Sequence, residues 1–349
     1  MSLWPLYTGG GDPHDGITQL PPPPPWRAFN GGPLLPPPRE DTEEEGSASP
    51  DRTHRAQTYV VTEKSVELVN AALYLRRPLL VTGPPGSGKS SLPYAVAREL
   101  MLGPVLRWNI TSRSTLDDGL YQYDPLSRLY ATRESGPMEA VSYGSWQPRN
   151  DIEDHLRLGP LGTALLPHQR PRVLLIDEID KGDLDLPNDL LNVLEEGQFE
   201  IPELVRTAER HPEAEVMVAG AEFRVPVRRG RVRCRAFPFT VLTSNGEREF
   251  PPAFLRRCVV LELRQPDQHQ LKAIVEAHLG DLDQNALDLV DRFLHRASGG
   301  ELATDQLLNA VYLSRASGLA GPSRERLAEH LMPYLSRALE PEGARPDDF

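Results

Sequence analysis

The residues with the clearest chemical potential form a glycine-rich loop. It reads Gly83, Pro84, Pro85, Gly86, Ser87, Gly88, Lys89, Ser90, Ser91. This fits the phosphate-loop pattern G-x-x-x-x-G-K-[ST], in which closely spaced glycines let backbone N–H groups approach phosphate oxygens. Lys89 is predicted to reach the outer phosphates, and the Ser90 hydroxyl to ligate Mg²⁺. The alternative is a turn that binds nothing. A strand-like run at 79–81 before the loop and a helix-compatible run at 91–102 after it favour phosphate binding.

Two acids end the apolar run 172–178, and they suggest what the phosphate site could do. Asp177 at the carboxyl end of a central strand is placed to hold Mg²⁺ through water. Glu178, one residue further, is placed to polarise an attacking water as a general base. A solvated acidic strand end is the alternative. The spacing from the phosphate loop favours a hydrolytic site.

Two further candidates lie downstream. Asn245 follows the apolar strand 239–242 and could donate to the γ-phosphate and orient the water, although Asn at a strand end is often turn chemistry. Arg256 and Arg257 precede the strand 258–263 and could reach the γ-phosphate of a neighbouring subunit as an arginine finger. A surface ion pair is the alternative for these arginines.

The elements that position these residues alternate between strands and helices from about residue 58. That pattern predicts an α/β P-loop fold with five parallel strands, flanked by helices, over residues 58–265. Insertions are expected near 111–150 and 198–237. From 266 to 340 the pattern is helical only, near 267–279, 284–297, 304–317 and 323–339, which indicates a small lid domain followed by a tail at 341–349.

Residues 1–57 are rich in proline, glycine and acidic residues, and we expect them to be disordered. Pro21–Pro25 beside Trp26 could be a docking peptide, with a solvated tail as the favoured reading. The net charge of −12 argues against a general nucleic-acid binder. The run Arg228–Arg233 is interpreted as a hairpin tip, with a nucleic-acid patch as the alternative.

Composition also indicates a compartment. The two cysteines, Cys234 and Cys258, form neither a disulfide framework nor a metal cluster, so a reducing environment is expected. The chain shows no signal peptide and no run of about 20 apolar residues. These features predict a cytoplasmic protein with no membrane partner.

Taken in order, these motifs resemble the AAA+ ATPases over roughly residues 58–340. The segments that carry the closer likeness are 175–181, 190–196, 243–245 and 254–257, which are similar to the MoxR-type and dynein-related (AAA_5-like) branch. The resemblance implies a ring, usually hexameric, with ATP and Mg²⁺ between subunits and Arg257 rather than Arg256 as the finger. It also makes a client with a von Willebrand A domain plausible.

One position departs from the resemblance. Asp305 stands where many relatives have a second-sensor arginine in the lid, and Arg315 is a candidate substitute, with weak coupling between lid and nucleotide as the alternative. Tyr121 and Tyr123 in the first insertion are candidates for lining a central pore.

The function expected from the sequence is an Mg²⁺-dependent ATPase that remodels or matures a partner protein. A nucleic-acid remodelling or defence-complex motor is the first alternative. A nucleotide-controlled switch or scaffold with little turnover is the second.

Overall fold

The computed structural model describes residues 4–36, 50–134, 151–297 and 303–316. Its helices are α1 (Pro50–Gln57), α2 (Glu63–Leu75), α3 (Leu92–Glu99), α4 (Leu116–Leu120), α5 (Pro125–Glu134), α6 (Pro160–Ala164), α7 (Leu186–Glu196), α8 (Pro202–Thr207), α9 (Pro252–Leu255), α10 (Gln268–Leu279), α11 (Gln284–Ala297) and α12 (Thr304–Ala316). Its strands are β1 (Leu79–Thr82), β2 (Leu106–Asn109), β3 (Tyr121–Tyr123), β4 (Leu156–Leu158), β5 (Val173–Asp177), β6 (Gln198–Glu200), β7 (Glu213–Met217), β8 (Arg224–Arg228), β9 (Arg231–Arg233), β10 (Phe239–Ser244) and β11 (Val259–Glu262).

The centre of the fold is a five-stranded sheet in the order β11-β1-β10-β5-β2, in which every neighbouring pair is parallel. Strands β5 and β10 are buried along their whole length, as expected for a sheet covered on both faces by helices. The predicted α/β sheet of five parallel strands is confirmed. Because the strands are parallel, their carboxyl ends lie at one edge, and this edge carries the site.

Local signals explain where the helices beside this edge begin and end. Thr62 caps α2, since its side chain accepts a hydrogen bond from the Ser65 N–H at 3.2 Å. Pro187 lies in the first turn of α7, and Gly197 ends that helix with a φ of 61°.

A second sheet has six strands in the order β3-β4-β7-β8-β9-β6. Five of them come from the regions 111–150 and 198–237 that the sequence suggested as insertions, and β4 lies just beyond the first of these regions. Strands β7 and β8 form an antiparallel hairpin, and β9 pairs antiparallel with both β8 and β6. The buried side chains of this sheet belong to the same hydrophobic cluster as one face of the central sheet. The two regions therefore form one layer packed on the core.

The C-terminal helices α10, α11 and α12 share a separate small core that includes Leu271, Val290, Phe293 and Leu307. The sequence expectation of a helix near 323–339 lies outside the described residues. The start of α12 lies against the phosphate loop, since a Cβ atom added at Gly86 would come within 2.6 Å of the Thr304 nitrogen.

The N-terminal region differs from the predicted disorder over residues 1–57. Residues 4–36, here called the N-terminal strap, pack against the central domain, and residues 50–57 form α1. Tyr7 and Ile17 are buried in the hydrophobic cluster that also contains side chains of α2 and α3, and Leu6 is buried as well. The composition was misleading because a few buried apolar side chains hold a segment that is otherwise rich in proline and glycine.

Buried polar residues of the central domain hold the strap as well. The Asn70 Oδ1 atom accepts hydrogen bonds from the Leu6 and Tyr7 N–H groups at 2.7 and 3.0 Å. The buried carboxylate of Glu99, at the end of α3, accepts from the Thr8, Gly9 and Gly11 N–H groups. These residues lie on the helices before and after β1 and its phosphate loop.

Arg27 fixes the far end of the strap. Its guanidinium donates twice to the Arg76 carbonyl oxygen, at 3.0 and 2.7 Å, and lies 4.5 Å from the centre of the Phe237 ring. Burial lowers the pKa of this guanidinium.

None of the described helices is long and apolar enough to cross a membrane.

Candidate nucleotide site

The phosphate loop connects β1 to α3 in a conformation that requires glycine. Gly86 has a φ of 74°, and a Cβ atom at Gly83 would lie 2.4 Å from the Leu263 carbonyl oxygen. Within the loop, the Lys89 ammonium donates to the carbonyl oxygens of Gly83 and Pro84 at 2.7 and 2.8 Å. Burial lowers the pKa of Lys89 against the opposing effect of nearby acids.

The carboxylate of Asp177 lies beside the loop at the end of β5. Its Oδ1 accepts from the hydroxyls of Ser90 at 2.7 Å and Thr243 at 2.6 Å, and its Oδ2 accepts from Arg107 at 2.7 Å. Burial alone would raise the pKa of Asp177, but the hydrogen bonds from Thr243, Ser90 and Arg107 outweigh it and the pKa is lowered. The group is therefore held as a carboxylate.

This pair of oxygens fits Mg²⁺. A serine hydroxyl and a carboxylate within 2.7 Å of each other are hard oxygen donors, and Mg²⁺ takes few protein ligands and retains several waters. Within the described ranges no group of three or more His, Cys, Asp or Glu side chains could hold a metal ion. The two-ligand site at Ser90 and Asp177 is thus the arrangement that fits Mg²⁺ here.

Glu178 follows at the same edge with an unusual backbone. Its φ and ψ are 61° and 50°, a left-handed conformation that is uncommon for a residue with a side chain. The Thr243 hydroxyl accepts its N–H at 2.9 Å, which ties this turn to β10. Glu178 lines a cavity at this edge of the sheet, and its Oε2 atom accepts a hydrogen bond from the Lys181 ammonium at 2.8 Å.

Asn245 directly follows Ser244, the last residue of β10. Its backbone N–H donates to the Asp180 Oδ2 atom at 2.9 Å, and the same oxygen accepts from the Ser244 hydroxyl and the Glu247 N–H. Asp180 is 3% exposed, so this carboxylate is a buried support for the loop that carries Asn245.

One cavity of about 880 Å³ brings these residues together. It is lined by the loop from Pro85 to Ser91 and by Asp177, Glu178, Thr243 and Asn245. The remaining walls come from α1 and the residues after it, from β2 and from the C-terminal helices. The volume is in the range of small-molecule and cofactor sites.

Comparison with known protein families gives an independent result. The profile of the AAA domain (dynein-related subfamily) matches residues 78–258, which is more than half of the chain. The chain belongs to this family. A comparison with curated proteins found no match.

Members of the AAA domain family bind nucleotide and generally hydrolyse ATP, so the chain is a nucleotide-binding AAA+ protein. The matched region contains the phosphate loop, Asp177, Glu178 and Asn245. The phosphate loop, Asp177, Glu178 and Asn245 all line the one cavity at the carboxyl edge of the central sheet.

The helical wall of the AAA site carries Asp305, as the sequence suggested. Asp305 and Thr304 line the cavity, together with Ile274, His278 and Leu308. Arg315 does not line it. Its guanidinium donates to the carbonyl oxygens of Leu279 and Asp281 at 2.8 and 2.6 Å, so this structure gives it no contact with the cavity.

The two candidate fingers lie outside the AAA cavity of their own chain. Arg257 pairs with Glu195 at 2.5 Å, and Arg256 lies exposed at the end of α9. Within a single chain neither arginine reaches the residues at the end of β5. Their assignment stays a prediction about a neighbouring subunit.

Tyr121, Tyr123 and the basic run lie on the second sheet, and they are not among the residues that line the cavity. Tyr121 and Tyr123 form the ends of β3, an edge strand of that sheet, and their role in a pore stays a prediction. Arg231 pairs with Glu200 at 2.8 Å, and Arg228 lies 3.6 Å from Glu213. The basic run is therefore interleaved with acids from neighbouring strands.

Sequence reasoning missed three side chains of the site, namely Arg107, Asp180 and Thr243. Arg107 and Thr243 contact Asp177 across the sheet, and Asp180 supports the loop after β10. A signal existed for Arg107, since a charged residue in a short apolar strand must point to a polar surface. Asp180 lies within the segment 175–181 that carries the family resemblance, but its hydrogen-bond partners lie more than 60 residues away along the chain.

Proposed function

We propose that this AAA+ protein is an Mg²⁺-dependent ATPase whose site consists of the residues that the sequence suggested. Lys89 and the loop amides bind the phosphates, while Ser90 and Asp177 hold Mg²⁺. Glu178 accepts the proton of the attacking water, and Asn245 orients that water. When bound, Mg²⁺ neutralises charge on the phosphate oxygens.

The observation that carries this proposal is the contact between the Ser90 hydroxyl and Asp177 at 2.7 Å, in a cavity that Glu178 and Asn245 also line. A glycine-rich turn without function has no need of a carboxylate at this position. The hydrogen bonds that lower the pKa of Asp177 keep it ionised for metal binding at neutral pH.

We further propose a ring, with six subunits as the usual number for such proteins, in which Arg257 reaches the site of the neighbouring subunit. Arg256 is its alternative. The exposed position of both residues outside their own cavity supports an action in trans. The Arg257 side chain must leave Glu195 to act in this way, which is a small cost for a pair that is nearly half exposed.

The MoxR-type branch and the remodelling or maturation of a client protein are the finer part of the proposal. They rest on the segments 175–181, 190–196, 243–245 and 254–257. A client with a von Willebrand A domain fits that branch. The nucleic-acid motor is less well supported, because the arginines of the second sheet have acidic partners and the net charge is −12.

Steady-state hydrolysis of Mg²⁺-ATP tests the enzymatic proposal. We expect turnover by the wild-type protein that Glu178→Gln abolishes and that rises in specific activity with protein concentration. Glu209→Gln, the same change at an exposed position outside the cavity, is the matched control and keeps full activity. Tight nucleotide binding with no turnover at any concentration contradicts the ATPase and supports a nucleotide-controlled switch.

Affinity capture tests the client. The Glu178→Gln protein with ATP is expected to retain both its ring and its client, which mass spectrometry can identify. Stimulation of the ATPase by DNA, together with salt-dependent DNA binding, would contradict the protein-client proposal in favour of a nucleic-acid motor.

A further inference from the structure

The cavity has an uneven distribution of positive charge. Its lining includes three arginine or lysine side chains, namely Arg55, Lys89 and Arg107. The lid helices, as far as the structure describes them, contribute Asp305 to the lining and no arginine or lysine. A cationic side chain of the same chain that contacts the last phosphate must therefore lie outside these described helices.

Arg107 is the arginine beside the metal corner. It lies on β2, one strand away from β5, and its Nη2 atom contacts the Asp177 Oδ2 atom at 2.7 Å. A guanidinium carries five N–H donors. Among the described residues Asp177 is the one hydrogen-bond acceptor for this group; 35% of the side chain is exposed, and Arg107 lines the cavity.

The carboxylate does not depend on this arginine alone. Asp177 also accepts from Ser90 and Thr243 on its other oxygen. If the Arg107 side chain turned towards the cavity, Asp177 would keep two hydroxyl donors. The geometry thus permits Arg107 to exchange one anionic partner for another without leaving a buried carboxylate unpaired.

We propose that Arg107 contacts the terminal phosphate of ATP in its own subunit and makes the site prefer ATP to ADP. This inference rests on the nucleotide site proposed above. ATP carries one more phosphoryl group and more negative charge than ADP, and the planar fork of arginine matches phosphate oxygens well. The arginine supplies a cationic contact that the described part of the lid helices does not provide.

Binding measurements on Arg107→Ala test the proposal without relying on turnover. ADP and a non-hydrolysable ATP analogue are titrated by calorimetry in the presence of Mg²⁺. We expect the affinity for the ATP analogue to fall by about tenfold to a hundredfold, the range of one charge-assisted hydrogen bond, and the affinity for ADP to change by less than about threefold.

Two further variants sharpen the comparison. Arg107→Lys keeps the charge but loses the fork, and we expect an intermediate loss that is still confined to the ATP analogue. Arg113→Ala, at an exposed position outside the cavity, is the control and leaves both affinities unchanged. Thermal unfolding of each variant establishes that it is folded, and Arg107→Lys serves if the alanine variant is not.

A role limited to neutralising Asp177 gives a different pattern. In that case both nucleotides change affinity by the same factor in Arg107→Ala, with tighter Mg²⁺ binding because the carboxylate has lost a competing cation. That result overturns the inference and leaves the proposed site intact. If the wild-type protein binds neither nucleotide, the proposed function itself fails, and the inference fails with it.

Discussion

The N-terminal strap provides the sharpest test of the fold, through Asn70. This side chain is completely buried on α2 and accepts from the Leu6 and Tyr7 N–H groups. Its Nδ2 atom donates to the Tyr7 and Val66 carbonyl oxygens, both at 2.7 Å. In Asn70→Ala the strap loses the partners of two N–H groups and one carbonyl group in a region closed to water.

The size of the effect follows from these three groups. A buried polar group without a partner costs about 1–3 kcal/mol, so the free energy of unfolding should fall by about 3 kcal/mol or more while the strap stays in place. If the strap detaches instead, the loss is limited to its docking energy, and residues 4–36 become accessible to proteases. Both outcomes follow from the same contacts.

Urea unfolding and limited proteolysis together measure this prediction. Asn188→Ala removes the same side chain from an exposed position on α7 and should change the free energy of unfolding by less than about 0.5 kcal/mol. The reasoning is refuted if Asn70→Ala also changes it by less than 1 kcal/mol and leaves the strap as protected as in the wild type. That result would favour the disordered segment that the sequence composition suggested.

Three further predictions concern single side chains near the site and the strap. Lys181→Met frees the half-exposed Glu178, so the ATP turnover number should rise, by no more than about fivefold because such pairs are worth up to about 1 kcal/mol; an unchanged or lower value argues against Lys181 as a restraint. Asp180→Ala removes the acceptor of three hydrogen bonds to residues 244–247, and turnover should fall by more than tenfold while nucleotide affinity, measured by calorimetry, changes much less. For His168, burial and then the charge of Arg172 lower the pKa from 6.5 to about 4. As the pH falls, His168 is protonated in the unfolded chain before it is protonated in the folded protein. We therefore expect the free energy of unfolding to fall by roughly 3 kcal/mol between pH 6.5 and 4, with full stability above pH 6.5. Urea unfolding across this range should show a smaller loss for His168→Leu.

Local patterns in the sequence were sufficient for the central sheet and for the residues at its carboxyl edge. The strands of the sheet other than β2 are short, largely apolar runs, and the phosphate loop, Asp177 and Asn245 lie at the ends of such runs. Since parallel strands end at one edge, the order of the motifs along the chain was enough to bring these residues together.

The parts that sequence reasoning missed depend on contacts between distant segments. Arg107 and Asp177 are 70 positions apart, and Glu99 is held by residues 85 to 91 positions before it. Neither contact produces a periodic pattern in the sequence, because a buried hydrogen bond depends on a single residue at a single position. The second sheet was foreseen only as separate insertions, since it is joined by the pairing of β4 with β7, two strands that the core strand β5 separates along the chain.

The strap connects parts of the protein that the motifs describe separately. At one end it binds Glu99 on the helix after the phosphate loop. At the other end Arg27 donates to the backbone carbonyl of Glu195, whose carboxylate holds Arg257. A chain shortened to begin at Tyr59 would leave Asn70 and Glu99 without their hydrogen-bond partners from the strap, whether the two side chains stay buried or become exposed. Both residues lie on the helices that flank the nucleotide loop. The described residues of the strap therefore pack as part of the same unit as the nucleotide loop, although the region that matches the AAA domain family starts at residue 78.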